Sequence, residues 1–232
     1  MKRALAILFL LLFTWAARGR ATEVIDRIVA VVNGKLILQS DVEQEARLEA
    51  FLAGDRVSEV ESSEADAVLQ RMIDRQLIHE QMHGATTIST SAPPVERRVK
   101  ELRTSIGKSV ESDEGWHNAL GDAGLTEEEV RQHFADEVQT MRFVETRLRP
   151  RIQVDEKSIE TYYREELLPE LQKSGGPTVS LPDVSRKIRD VLIERELDAS
   201  LSEWLKSLRQ QSEIRLLSPI QKTQSLPAPQ GK

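Results

Sequence analysis

The chain has 232 residues, a formal net charge of −6 and no cysteine, and 30% of its residues are charged. Phosphate binding needs clustered Lys and Arg, so this acidic composition argues against a general nucleic-acid binder. The lack of cysteine excludes disulfides, thiol nucleophiles and thiolate metal sites, and the fold must therefore depend on core packing.

Residues 1–21 have the pattern of an export signal. Lys2-Arg3 precedes an apolar run over residues 4–17, which is short for a membrane span. Small residues favour cleavage before Thr22, and an uncleaved N-terminal anchor is the alternative because Arg18 and Arg20 flank that point. We expect an exported chain with no stable membrane insertion after cleavage.

Residues 26–43 read DRIVAVVNGKLILQSDVE and predict a β-hairpin followed by a helix. Two β-branched runs flank Asn33-Gly34, a dipeptide that accepts the positive φ angles of a two-residue turn. Such a turn pairs Val32 with Lys35. That register gives the hairpin one wholly apolar face, which carries Val29, Val31, Leu36 and Leu38. An isolated hairpin is marginal in water, so another part of the chain must complete it.

Helices are predicted over most of the remaining chain. Ser40 and Glu43 have the spacing of a capping box and predict the start of the first helix. A helix over about 63–83 has apolar residues around much of its circumference and is expected at the centre of the core. Thr126 and Glu129 form a second capping box, which predicts the start of a long helix.

The last third of the chain is predicted to contain a linker, a long helix and a strand. Residues 168–182, LPELQKSGGPTVSLP, are expected to form a loop because of their central Gly-Gly-Pro. Asp183 or Ser185 would cap a long amphipathic helix, and residues 213–217, EIRLL, alternate like a strand. The Pro- and Gln-rich residues 218–232 have little to bury and are predicted to be disordered.

Four segments of this sequence have counterparts in a known family. They read DRIVAVVNGKLILQSDVE, MIDRQLIHEQ, TEEEVRQHFADEV and IRDVLIERELDASLSEWLKSLRQQSEIRLL. Together they resemble the N-terminal domain and the closing helix and strand of SurA-type periplasmic chaperones. The resemblance implies a mainly α-helical core with a small antiparallel sheet, made by the N-terminal hairpin and a C-terminal strand. It also implies ATP-independent binding of unfolded exported polypeptides, such as outer-membrane protein precursors, in the periplasm and without a cofactor.

One feature of the family is missing from the sequence. Family members usually insert one or two parvulin-type prolyl isomerase domains before the closing helix. Only residues 168–182 occupy that position here, and a domain needs at least about 50 residues. The resemblance therefore implies a SurA-like domain over 22–167, a linker over 168–182 and a closing helix and strand over 183–217. We expect no isomerase activity, and a dedicated assembly factor for one exported partner is an alternative function.

An enzymatic alternative comes from His79-Glu80-Gln81-Met82-His83, which matches the H-E-x-x-H pattern of zinc peptidases. On a helix the two histidines would lie one turn apart, and Glu80 would activate a metal-bound water. Gly84 follows at once, and only Glu96 or Glu101 could be nominated as a third ligand. The histidines also continue an apolar stripe, so a packing role is favoured over a metal site.

The sequence does not assign the client-binding residues. Met72, Met82 and Met141 could line an adaptable client-binding surface, because methionine side chains adjust to irregular partners. Their helical spacing favours a place in the core instead. His117 and His133 are isolated, and we expect them at the surface or at the edge of the core.

Overall fold

The computed structural model describes residues 26–54, 62–84, 87–106, 112–177 and 179–217. The predicted signal segment, 1–21, and the predicted disordered tail, 218–232, lie outside the described residues. The described part is mainly α-helical and contains a three-stranded antiparallel sheet in the order β2-β1-β3, which confirms the predicted fold class. None of the helices in these ranges is long and apolar enough to cross a membrane.

The elements follow one another from an N-terminal hairpin to a C-terminal strand. They are β1 (Ile28–Val32), β2 (Lys35–Leu38), α1 (Gln39–Ala53), α2 (Ser62–Gln81), α3 (Pro93–Ile106), α4 (Asp113–Asp122), α5 (Glu127–Leu148), α6 (Glu156–Tyr162), α7 (Leu168–Ser174), α8 (Leu181–Gln211) and β3 (Ile214–Leu216). A short 3₁₀ turn, Arg149–Arg151, follows α5, and a π-helical segment, Tyr163–Leu167, joins α6 to α7.

The hairpin has its predicted turn, and its predicted register holds only next to that turn. Asn33 and Gly34 have φ angles of 49° and 85°, and Val32 pairs with Lys35. A bulge between Ile28 and Ala30 then shifts the pairing, so that Leu38 lies opposite Ile28. An extra residue in one strand changes which side chains share a face, and the predicted apolar face is accordingly wrong.

The structure buries Val29 of that predicted face together with three residues assigned to the opposite face. The exposed fractions are 0% for Val29, Ala30 and Val32 and 6% for Ile37, whereas Leu36 is 55% exposed. Lys35 does not prevent this burial, because it lies beside the turn and its side chain is exposed. The bulge is what allows the adjacent Val29 and Ala30 to be buried together.

Strand β3 completes the hairpin from the far end of the chain. It pairs antiparallel with β1, with Val31 opposite Arg215. The Leu217 N–H donates to the Val29 carbonyl at 2.9 Å, and the Asn33 N–H donates to the Glu213 carbonyl at 2.9 Å. The hairpin is therefore stabilised by a strand about 180 residues away in sequence.

One of the two predicted capping boxes is present. At the start of α5 the Glu129 N–H donates to the Thr126 hydroxyl at 3.2 Å, and the Thr126 N–H donates to the Glu129 carboxylate at 2.6 Å. The Ser40 box is wrong, because α1 begins earlier, at Gln39, and Asp41 accepts from the N–H of Leu38. The Ser40 hydroxyl instead donates to the carboxylate of Asp26.

Helix α2 lies at the centre of the described fold, as predicted, in contact with α1, α5, α8 and β1. Ile73 and Leu77 are 0% and 1% exposed in a core formed with the sheet, α1 and the end of α8. Ile78 belongs to a second core with α5 and α8. A third core surrounds Trp116, where the end of α1, α3, α4 and the start of α5 meet.

The predicted linker is largely helical. Residues 168–174 form α7, which ends at Gly175 with a φ of 66°, and α8 already begins at Leu181. The Gly-Gly-Pro sequence therefore ends a helix rather than defining a long loop, and Pro182 suits the first turn of α8. The N-cap of α8 is Ser180, so the predicted caps at Asp183 and Ser185 are wrong. We call residues 156–174 and 181–196 the arm, and the other described residues the body.

Candidate functional site

An open groove of about 280 Å³ lies between α2, α5 and α8. Its floor is apolar and contains Ile78, Val144 and Leu201, and Met141 lines it with 51% of its surface exposed. Five charged residues form the rim around this floor: Arg71, Asp74, Arg75, Asp136 and Glu137. The groove therefore combines exposed apolar surface with a charged rim.

Helical spacing explains how the lining residues come together. On α2, Arg71, Arg75 and Ile78 lie at intervals of four and three residues, and on α5 Glu137 and Met141 lie four apart. Residues at these intervals share one face of a helix. The two faces meet where α2 packs against α5, and α8 closes the third side.

The two arginines of the rim are each paired with a glutamate of α1. Arg75 lies 2.5 Å from a carboxylate oxygen of Glu45. Arg71 forms an ion pair with Glu49, and this hydrogen-bonded carboxylate raises the pKa of the Arg71 guanidinium. Their positive charges are thus largely offset inside the protein.

Two of the three rim carboxylates are paired as well. Asp74 lies 2.6 Å from the Arg209 guanidinium, and Glu137 lies 2.6 Å from that of Arg98. Asp136 accepts a hydrogen bond from the Gln132 amide at 3.0 Å, and it forms no ion pair with another described residue. Asp136 therefore contributes the uncompensated charge of the groove.

Two histidines lie beside the groove, at the edge of the core. The Nδ1 of His133 is 3.6 Å from a Glu45 oxygen, and the Nε2 of His79 is 3.4 Å from the Thr140 hydroxyl. Burial lowers the pKa of His133, and Glu45 opposes the change. Burial likewise lowers the pKa of His79, with Asp136 opposing it. Both imidazoles are consequently held toward the neutral form.

The H-E-x-x-H residues do not converge on one point. Helix α2 ends at Gln81, and His83 is exposed in the turn that follows. Glu80 accepts hydrogen bonds from the Asn33 amide at 2.6 Å and the Gln76 amide at 2.8 Å. Within the described part of the chain, no three His, Asp or Glu side chains are grouped to hold a metal ion.

The three methionines differ in their surroundings. Met82 is 8% exposed and Met72 packs against the sheet core, as the spacing predicted. The predicted core position is wrong for Met141, which lines the groove. Asp136, Glu137 and Thr140 precede it by about one turn of α5, and their polarity is the sequence signal for an open position. His117 is exposed, and its Nδ1 lies 2.6 Å from the Asp113 carbonyl.

A neighbouring depression of about 500 Å³ has a different character. Apart from Leu205, its lining is polar or charged, comprising Asp74, Ser202, Lys206, Arg209 and Gln210. The groove between α2, α5 and α8 is the better candidate for binding an apolar segment, because its floor combines residues of all three helices.

Neither a scan against protein-family models nor a search of curated proteins matches this chain. The class that the fold defines is a mainly α-helical protein with a small antiparallel sheet.

Proposed function

We propose that the chain is an ATP-independent periplasmic chaperone that binds unfolded or partly folded exported polypeptides, including outer-membrane protein precursors. The observation that carries the proposal is the solvent-open groove with its apolar floor and half-exposed Met141. Unfolded chains expose the apolar side chains that such a surface would cover. Folded clients bury those side chains, so binding favours the unfolded state by mass action.

The proposed activity needs no chemical step. Residues 175–180 connect α7 to α8, and this segment is far shorter than the roughly 50 residues of the catalytic domain that the resemblance would lead one to expect near this position. We propose that the purified chain does not accelerate X-Pro isomerisation in a short peptide. The zinc alternative predicts stoichiometric zinc that is lost in His83→Ala. In protein purified without an affinity tag, we expect the zinc content to be substoichiometric.

A dedicated assembly factor for one exported partner is the second candidate. The sheet favours it, because Leu36, Leu216 and Leu217 are 55%, 60% and 53% exposed on or beside its strands. A fixed partner could cover these leucines, whereas varied clients would use the groove. The two functions therefore place the binding surface on different parts of the molecule.

Aggregation of a denatured outer-membrane barrel protein tests the proposal. The chain lacking residues 1–21 should suppress light scattering without nucleotide. Met141→Gln should require roughly fivefold more protein for equal suppression, since losing about 1 kcal/mol of apolar burial changes an equilibrium by that factor. Leu36→Gln is the matched control, because Leu36 is similarly exposed but lies on the sheet. Unsuppressed scattering with the unaltered chain would refute the chaperone proposal, and a larger loss in Leu36→Gln than in Met141→Gln would place the client-binding surface on the sheet instead of the groove.

A further inference from the structure

We propose that the groove selects client segments in which a large apolar side chain lies next to a lysine or arginine. This inference rests on the proposed chaperone function and specifies the chemistry of the polypeptide that the groove accepts. Its basis is the apolar floor of the groove and the charges of its rim.

The size of the groove suits a few side chains of a client. The groove is open to solvent and has a volume of about 280 Å³. The apolar residues of its floor are Ile78, Val144 and Leu201, and burying a large apolar side chain against them is favourable.

The charges of the rim favour a cation beside that side chain. Arg71 and Arg75 are offset by Glu49 and Glu45, while Asp74 and Glu137 are offset by Arg209 and Arg98. A ligand carboxylate would have to compete with the glutamates for either arginine. By contrast, a ligand cation could pair with Asp136, a groove carboxylate that forms no ion pair with another described residue.

The neighbouring imidazoles do not cancel this charge near neutral pH. His133 lines the groove, and His79 lies behind it against Thr140. Both are held toward the neutral form by burial. The carboxylate of Asp136 is therefore the electrostatic feature that a client would encounter.

The exposed leucines of the sheet offer no comparable preference. Arg215 and Glu213, which lie beside Leu216, form an ion pair with each other. Their charges offset each other, and the exposed Lys35 beside Leu36 would favour an acidic neighbour in a client, not a basic one. Charge preference in a peptide series consequently distinguishes the groove from the sheet.

Three fluorescently labelled, unstructured ten-residue peptides provide the test. Each carries the same two leucines, flanked by lysines, by glutamines or by glutamates, and binding to the chain without residues 1–21 is measured by anisotropy at pH 7.5. We expect the lysine peptide to bind roughly two- to fivefold more tightly than the glutamate peptide at low salt, the range of an exposed ion pair. The difference should shrink in 0.5 M NaCl.

Two variants assign the preference to the groove. Asp136→Asn keeps the shape of the side chain and should make the three peptides bind alike. Asp190→Asn, an exposed carboxylate on the arm, should leave the preference unchanged. Equal binding of all three peptides to the unaltered chain would overturn the inference, as would a preference that survives Asp136→Asn. If the chain still suppresses aggregation in either case, the chaperone proposal stands and only the selectivity is wrong.

Discussion

The body and the arm of this protein are held together in different ways. The body contains three apolar cores, and α2 contributes to two of them. In the described arm the fully buried apolar side chains are Ile159 and Ile188, at 1% and 3% exposure. Ion pairs on the arm surface, such as Arg195 with Glu166 at 2.7 Å, supplement them. Helix α8 is therefore anchored along its C-terminal half, which packs into the cores, and weakly held along its N-terminal half in the arm.

The largest effect is expected from a cavity in the body. Ile73→Ala removes a side chain with 0% exposure between the sheet and α2. Such a truncation costs about 2–5 kcal/mol, because lost burial and the residual cavity add together. Chemical denaturation should show one cooperative transition with a lower midpoint. A loss below about 1 kcal/mol would mean that the sheet core is not the main support of the fold.

The same substitution in the arm should behave differently. Ile188→Ala removes an equally buried isoleucine, but the arm can open locally while the body stays folded. Hydrogen exchange should therefore rise across residues 156–196, and the midpoint of global unfolding should fall much less than in Ile73→Ala. An equal fall in both variants would show that arm and body unfold as one unit.

The pH dependence of stability should belong to the body, because all four histidines lie outside the arm. His133 is surrounded by Glu45 and Glu49 of α1, Arg75 of α2 and Glu137 of α5, and burial lowers its folded pKa below the ordinary histidine value of 6.5. The unfolded state then binds the proton more tightly, so stability is fully present above about pH 6.5 and falls as the pH drops toward the folded pKa.

Replacing that imidazole tests the assignment. His133→Gln should flatten the decline in melting temperature between pH 7.5 and 5.5, whereas His117→Gln should leave it unchanged, because His117 is exposed. An unaltered slope in His133→Gln would assign the acid sensitivity to His79 or to carboxylates.

The smallest effect is expected on the arm surface. Arg189→Gln breaks the ion pair with Glu156 across α6 and α8. Exposed pairs are worth roughly 0.2–1 kcal/mol, so the change should appear only as faster hydrogen exchange in α6. Arg186→Gln, also on the exposed side of α8, serves as the control. A fall of more than about 1 kcal/mol in the free energy of global unfolding would show that this ion pair stabilises the whole fold and not only the arm.

Local signals in the sequence were reliable where one short segment determines the geometry. Asn33-Gly34 and the Thr126 capping box lie as predicted, because their turn and cap depend on adjacent residues. The Ser40 box failed because a distant group, Asp26, accepts from the same hydroxyl. The bulge at Val29 could not be predicted either, since it depends on how the strand packs against α2.

The groove could not be predicted from the sequence, because no single segment contains its lining residues. Its lining comes from α2, α5 and α8, and Leu201 is separated from Ile78 by more than 120 positions in the sequence. The periodicity of α5 indicated that Met141 faces inward, but a helix at the margin of a core can present part of its apolar face to solvent. Only the packing of three helices decides which part remains open.

The pairing of β1 with β3 has a consequence for the order in which the molecule is built. As the chain is synthesised, β1 and β2 appear early, but the strand that covers the other edge of β1, Ile214–Leu216, is made about 180 residues later. Contacts between such distant residues slow folding, because a long loop must close before they form. The edge of β1 therefore stays open during most of synthesis, and the protein itself is a candidate for temporary protection until β3 is made.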